Sequence, residues 1–192
     1  VMQRLNSVNP ELAKGRTKEL LENVQQAFGM IPNTTKIMAN SPAVLEGFLT
    51  FSQAMGQAAI GEKLHNQVKL STSESNSCNY CTSLLSAFGP SVGLTADDIL
   101  ASRTSSSEDK RTDTALKFAE EVLENRGKVG NEQLEAVRKA GFSDAEIVEI
   151  VASVVQGCFT NFLNKVAKTE LDSPQAEPVQ ACSTEAACGC EG

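Results

Sequence analysis

Apolar residues recur at helical spacing along most of this chain. Between Pro10 and Phe28, Leu12, Leu20, Leu21, Val24 and Phe28 share a helical period, with Asn9 placed to cap, Pro10 at the first helical position and Gly29 past the end. Met30 to Asn33 reads as a turn. Ser41-Pro42 then opens a helix whose apolar positions are Val44, Leu45, Phe48, Leu49, Phe51 and Met55. Glu62 to Ser75 predicts another helix, weakened by its Ser and Thr content, and Cys78 to about Phe88 predicts one that stops at Gly89-Pro90. In the second half, Thr95 with Asp98 resembles a capping box before a short helix to about Ala101. Ser105 to Ser107 is a polar linker. Helices are expected over Glu108 to Arg126 and Asn131 to Ala140, closed by Gly127 and Gly141, and Ser143 with Glu146 caps the longest helix, running to about Lys168.

No segment alternates as a half-buried strand does, so the expected fold class is all-α, a bundle of about eight helices. The helical domain is expected over residues 1–172. From 173 to 192 the composition turns to Pro, Ser, Glu and three cysteines, which predicts a disordered or extended Cys-rich tail unless something ties it down. Glu146 precedes Cys158 by the interval at which Asn66 precedes Cys78. The spacing reads as a weak internal repeat or, more simply, as two amphipathic helices of similar period.

Composition narrows the chemistry. The 192 residues are 41% hydrophobic and 21% charged, enough to fold around one core. With Lys+Arg 17 against Asp+Glu 24 the net charge is -7, which argues against nucleic acid or anionic lipid as a partner of the whole surface. The longest apolar stretch, Ile147 to Phe159, is interrupted by Glu149, Ser153 and Gln156, so no membrane span is expected. The first residues carry no apolar signal segment, and the expected compartment is cytoplasmic. Six cysteines stand against one histidine, His65, which excludes zinc sites built on two or three His. In a reducing compartment, closely spaced cysteines are redox-active or metal-binding more often than structural.

Cys78-Asn79-Tyr80-Cys81 has three readings: a redox dithiol, half of a zinc site, or coincidence. A zinc site would need two more ligands, and no second pair repeats the spacing. Position favours redox chemistry: Ser77 is placed to cap a helix whose first turn carries both sulfurs, where free amides stabilise a thiolate. Tyr80 lies between the sulfurs as packing or as a shield. Cys158, inside an apolar helix, reads as a small buried hydrophobe.

Several separated segments resemble one family in order. They are Gly29-Met30-Ile31-Pro32-Asn33, Ser41-Pro42-Ala43-Val44-Leu45, Asn76-Ser77-Cys78-Asn79-Tyr80-Cys81, and the run from Phe159 to Ala167. Together, over roughly residues 10 to 173, the chain resembles the carboxymuconolactone decarboxylase superfamily, in its alkylhydroperoxidase D-like (AhpD-like), peroxidase-related branch. The resemblance implies an all-helical fold, a homo-oligomer (trimer or hexamer), and a thiol peroxidase or disulfide reductase served by a thiol/disulfide electron donor; no Gly-x-Gly-x-x-Gly or phosphate-loop lysine pattern occurs, so no organic cofactor is expected. It implies Cys81 as the attacking thiolate and Cys78 as the more exposed resolving thiol. The family also uses a Glu twelve residues before the first Cys and a His four residues after the second, joined through water. Those places hold Asn66 and Leu85 here, so the implied activity is impaired: slow or absent peroxide turnover by a pair that still cycles between dithiol and disulfide. His65 neighbours Asn66, but adjacent helix positions point about 100° apart, and it is expected at the surface or partly packed.

Other motifs carry less. Gly89-Pro90-Ser91-Val92-Gly93 matches a hydrolase nucleophile elbow, but a helix rather than a strand precedes it. The tail cysteines Cys182, Cys188 and Cys190 lie in nine residues. They suit a soft metal or metalloid, a redox arm for Cys78/Cys81, modification by a partner enzyme, or no role. A diverged scaffold whose tail does the chemistry is therefore the alternative to a thiol oxidoreductase.

Overall fold

The computed structural model describes residues 2 to 179, and among them are nine α-helices, two 3-10 helices and no strand. The helices are α1 (Gly15–Phe28), α2 (Asn33–Met38), α3 (Pro42–Met55), α4 (Gly61–Ser75), α5 (Asn79–Phe88), α6 (Ala96–Arg103), α7 (Lys110–Glu124), α8 (Asn131–Lys139) and α9 (Asp144–Ala167). The tail cysteines Cys182, Cys188 and Cys190 lie outside the described residues.

The strongest local signals form as expected. Ser41 caps α3 through the Val44 amide, and Thr95 with Asp98 and Ser143 with Glu146 form complete capping boxes on α6 and α9. Two expectations need correction. The helix expected from Pro10 is broken: Pro10–Leu12 is a single 3-10 turn capped by Asn9, and α1 starts only at Gly15, whose φ of +55° turns the chain. The turn expected over Met30 to Asn33 ends one residue early, because α2 occupies Asn33–Met38.

α4 is the hub, packed against α5, α6, α7 and α9. Its Leu64 and Val68 join Leu116, Phe118 and Val122 of α7, Val137 of α8, and Ile150 and Val154 of α9 in the main core. A second cluster, Leu20, Leu21, Met38, Ala39 and Leu45, holds α1, α2 and α3 together. A third, small cluster contains Cys78, Tyr80 and Cys81.

α9 has the length and mean hydropathy of a membrane-crossing helix, 24 residues at 1.3. One face of it packs into the bundle. Ser153, Gln156, Asn161 and Asn164 are buried along it, and they meet His65, Ser52, Ser73 and Cys81 respectively. Gly157 brings α9 against α4: a Cβ there would lie 3.0 Å from the Thr72 methyl. After α9 the described chain has no further helix. It returns over the bundle, where Asp172 accepts from the Asn33 amide and the Ala176 amide donates to Ser83 Oγ at 2.9 Å.

Candidate active site

The cysteine pair sits where two helix ends interlock. α4 closes in a Schellman motif: the Ser77 amide donates to the Glu74 carbonyl at 2.8 Å and the Cys78 amide to the Ser73 carbonyl at 2.9 Å. Ser77 takes the left-handed conformation this requires, φ 51°, where glycine is usual. The expected Ser77 cap is therefore corrected. Cys78 itself is the N-cap of α5, its Sγ accepting the Cys81 amide at 3.4 Å. α9 clamps this turn: Asn161 Nδ2 donates to Ser73 Oγ, Asn76 Nδ2 donates to Asn161 Oδ1, and Lys165 Nζ donates to the Asn76 carbonyl.

The two sulfurs are in contact at disulfide distance, with Cα atoms 5.4 Å apart. Both residues are buried, Cys78 at 2% exposure and Cys81 at 4%. Cys78 is thus not the more exposed thiol that the resemblance implies. Its role as helix cap draws it inside, and Cys81 is the one that borders a cavity. Cys81 Sγ also accepts a hydrogen bond from Asn164 Nδ2 at 3.3 Å, while Asn164 Oδ1 is held by Thr169 Oγ1 at 2.7 Å. An amide N–H aimed at the sulfur favours its thiolate.

The cavity beside Cys81 measures about 270 Å³, near the lower end of small-molecule pockets. Its wall is largely apolar, including Phe28 of α1, Phe48 and Leu49 of α3, and Leu84, Leu85 and Phe88 of α5. Asn66 and Leu85, the residues in the two relay places, both border it, so the structure gathers them beside Cys81 although neither ionises. Asn66 is 8% exposed and its Oδ1 has no hydrogen-bond partner among the described residues. A larger, shallower depression of about 690 Å³ between α1 and α3 contains no cysteine.

Lys69 was not singled out by the sequence pattern, yet it borders the same cavity. Among the described residues it is the only one on the cavity wall with a formal charge. No carboxylate lies within ion-pair distance of it among the described residues. The residue keeps some accessible surface, but burial still pulls its amine down to about 8.

His65 stands apart from this group. It is partly buried and is not on the cavity wall. Its Nδ1 lies 2.7 Å from Ser153 Oγ, whose single hydrogen goes to the Glu149 carbonyl, so the ring donates from Nδ1. Burial, reinforced by Lys69, pulls the imidazole down to about 3, and it is neutral at ordinary pH. Tyr80 hydrogen-bonds neither sulfur: its hydroxyl accepts from the Thr34 amide at 3.1 Å and donates to Asp172 at 3.2 Å, and burial pushes the phenol well up. Cys158 is only half-buried; burial nonetheless raises its thiol, and Asn76 Nδ2 points at its sulfur from 3.7 Å. Ser91 of the elbow-like motif donates to the Phe88 carbonyl at 2.6 Å within a 3-10 turn. No group of three or more metal-ligating side chains occurs among the described residues.

No protein-family model matches the chain, and no curated protein matches it. Solved structures do. An uncharacterized AhpD-core, peroxidase-related protein from Ralstonia eutropha JMP134 aligns with a TM-score of 0.77 at 19% identity, over 88% of this chain and 92% of that one. An uncharacterized peroxidase-related protein from Silicibacter sp. TM1040 gives 0.76 at 19% identity, over 88% and 95%. A Cys-to-Ala variant of the debrominase Bmp8, in complex with 2,3,4-tribromopyrrole, gives 0.74 at 17% identity, over 89% and 93%. The chain has the all-helical AhpD-like fold.

Proposed function

We propose that this protein is an AhpD-like thiol oxidoreductase in which Cys81 attacks and Cys78 resolves. The observation that carries the reading is a pair of sulfurs at disulfide distance, of which Cys81 borders a cavity and accepts the Asn164 amide. With a hydroperoxide, the Cys81 thiolate attacks the distal oxygen, the O–O bond breaks and, with one proton, an alcohol leaves. The sulfenic acid then condenses with the Cys78 thiol, forming the disulfide and releasing water. An external thiol donor returns both electrons. With Asn66 and Leu85 in the two relay places, neither of those positions assists proton transfer, and such assistance is commonly worth about 10²–10⁴-fold. Peroxide turnover is therefore slow, while the pair itself cycles.

The apolar wall favours a second substrate class, a small halogenated ring such as the debrominase relative holds. Here two thiols and a carbon–bromine bond would give a carbon–hydrogen bond, bromide, a proton and the disulfide. Self-association, expected of the fold, is supported by exposed apolar side chains along α9: Val148, Val155, Phe159, Phe162 and Val166.

The test is a single turnover of the fully reduced protein with cumene hydroperoxide, followed by mass spectrometry and by bromide release from a bromopyrrole. Slow, stoichiometric formation of the Cys78–Cys81 disulfide with either substrate, lost in Cys81→Ser, is expected. A pair that stays reduced with both refutes the proposal, and rapid peroxide turnover refutes the impairment.

A further inference from the structure

Resting on that reading of the cavity beside Cys81, we infer that its substrate is a small apolar acid. The anionic group, a carboxylate or phenolate, would bind Lys69 and Asn66 while its apolar body lies toward Cys81. Three observations converge on this chemistry.

The first is an unbalanced charge. Lys69 is the only charged side chain on the cavity wall and has no carboxylate within ion-pair distance among the described residues. Lys69 keeps some accessible surface, but an ammonium largely withdrawn from water without a counter-charge is still costly. An anionic ligand supplies the missing partner.

The second is Asn66, three residues before Lys69 on α4 and so on the same face of that helix. It is more than nine-tenths buried and lines the cavity, and its Oδ1 has no hydrogen-bond partner among the described residues. Because an amide can present either end, it can offer Nδ2 to a carboxylate or phenolate oxygen. Lys69 and Asn66 together give an anion two donors from adjacent turns of one helix.

The third is the rest of the wall. Phe28, Phe48, Leu49, Leu84, Leu85 and Phe88 offer no charge and match an aromatic or branched aliphatic body. Leu85 is apolar at the position where the relay histidine of the resembling family stands, which leaves Lys69 without competition for the ligand's charge. An uncharged hydroperoxide or ring would fill the apolar part of the cavity and leave Lys69 unpaired.

Equilibrium binding of benzoate and of its uncharged analogue benzamide to the full chain tests this, by titration calorimetry or ligand-observed NMR. A charge-assisted pair is worth about 1.5–3 kcal/mol, so benzoate should bind about 10- to 100-fold more tightly than benzamide. Lys69→Met should bring the two Kd values together by weakening benzoate while leaving benzamide unchanged. The unmodified protein gives an independent readout. Benzoate affinity should be flat from pH 6 to 7.5 and fall by about tenfold per unit once Lys69 loses its proton, while benzamide affinity stays level. Equal binding of both probes, no binding of either, or a benzoate affinity level through pH 9 overturns the inference. Cys81→Ser should still bind benzoate. Selective benzoate binding in a protein whose cysteines never cycle would refute the oxidoreductase reading and leave this one standing; a cycling pair that binds both probes alike does the reverse.

Discussion

The single histidine allows a clean thermodynamic test of the packing between α4 and α9. His65 is pulled from 6.5 to about 3, chiefly by burial and secondarily by Lys69, so between those pH values the unfolded chain binds a proton that the folded chain refuses. Its folded pKa is depressed. The associated stability is thus fully present above pH 6.5 and is lost as the pH falls toward 3. Over that window stability should drop by about 1.4 kcal/mol per pH unit, about 4–5 kcal/mol in all. Urea denaturation at pH 7, 6, 5 and 4.5 measures it, with His65→Gln as reference. The difference between the two proteins should change by about 2 kcal/mol between pH 6.5 and 5. The reference variant keeps the carboxylates out of the comparison: Asp98, Asp109 and Glu146 are held low mainly by amides at their caps, and both proteins share the stability these groups lose as the pH falls from their ordinary values through their depressed ones. An imidazole NMR titration near 6.5, or a difference that does not move with pH, would refute the burial of His65 and the Ser153 contact with it.

Three further outcomes follow from named contacts. Asn164→Leu removes the amide that donates to Cys81 Sγ; in a Cys78→Ser background the pH profile of Cys81 alkylation should move up by about one to two units, and an unmoved profile contradicts the contact. Gly157→Val forces a side chain against Thr72 and should destabilise by about 2 kcal/mol in urea melts. Gly157→Ala should be nearly neutral, because better helix propensity offsets the tighter contact; equal stability of both variants refutes the close approach of α9 to α4. Asp172→Ala removes the acceptor for the Asn33 amide and the Tyr80 hydroxyl, so the Asn33 amide should exchange about 10-fold faster or more; unchanged protection refutes the anchoring of residues 172–179.

Where local chemistry decides an element, its boundary was readable. The Ser41-Pro42 start and the two capping boxes at Thr95 and Ser143 satisfy helix ends with neighbours three residues away. α2 was not readable, because its caps come from far along the chain. The Asn33 amide is taken by Asp172 and the Thr34 amide by Tyr80, and no local pattern announces either. The cap on α5 was misread because a cysteine sulfur replaces the usual hydroxyl or carboxylate, while Ser77 is spent on closing α4.

The site divides the same way. Cys78 and Cys81 announce themselves by spacing, and the resemblance pointed to Asn66 and Leu85, which the fold places at the same cavity. Asn164 carried a faint signal as a polar residue inside an apolar helix. Lys69 carried none, since a lysine amid Ser, Thr and Glu residues reads as an ordinary solvated position; only the folded structure puts it on the cavity wall.

The central claim is that Cys81 attacks from the cavity and Cys78 resolves from the helix cap. The direct measurement is mass spectrometry of the reduced single variants after one equivalent of cumene hydroperoxide with a sulfenic-acid trap. Cys78→Ser should carry the trapped sulfenic acid on Cys81, and Cys81→Ser should carry none on Cys78. Adduct on Cys78 in the second variant, or no adduct at Cys81 in the first, would contradict the account.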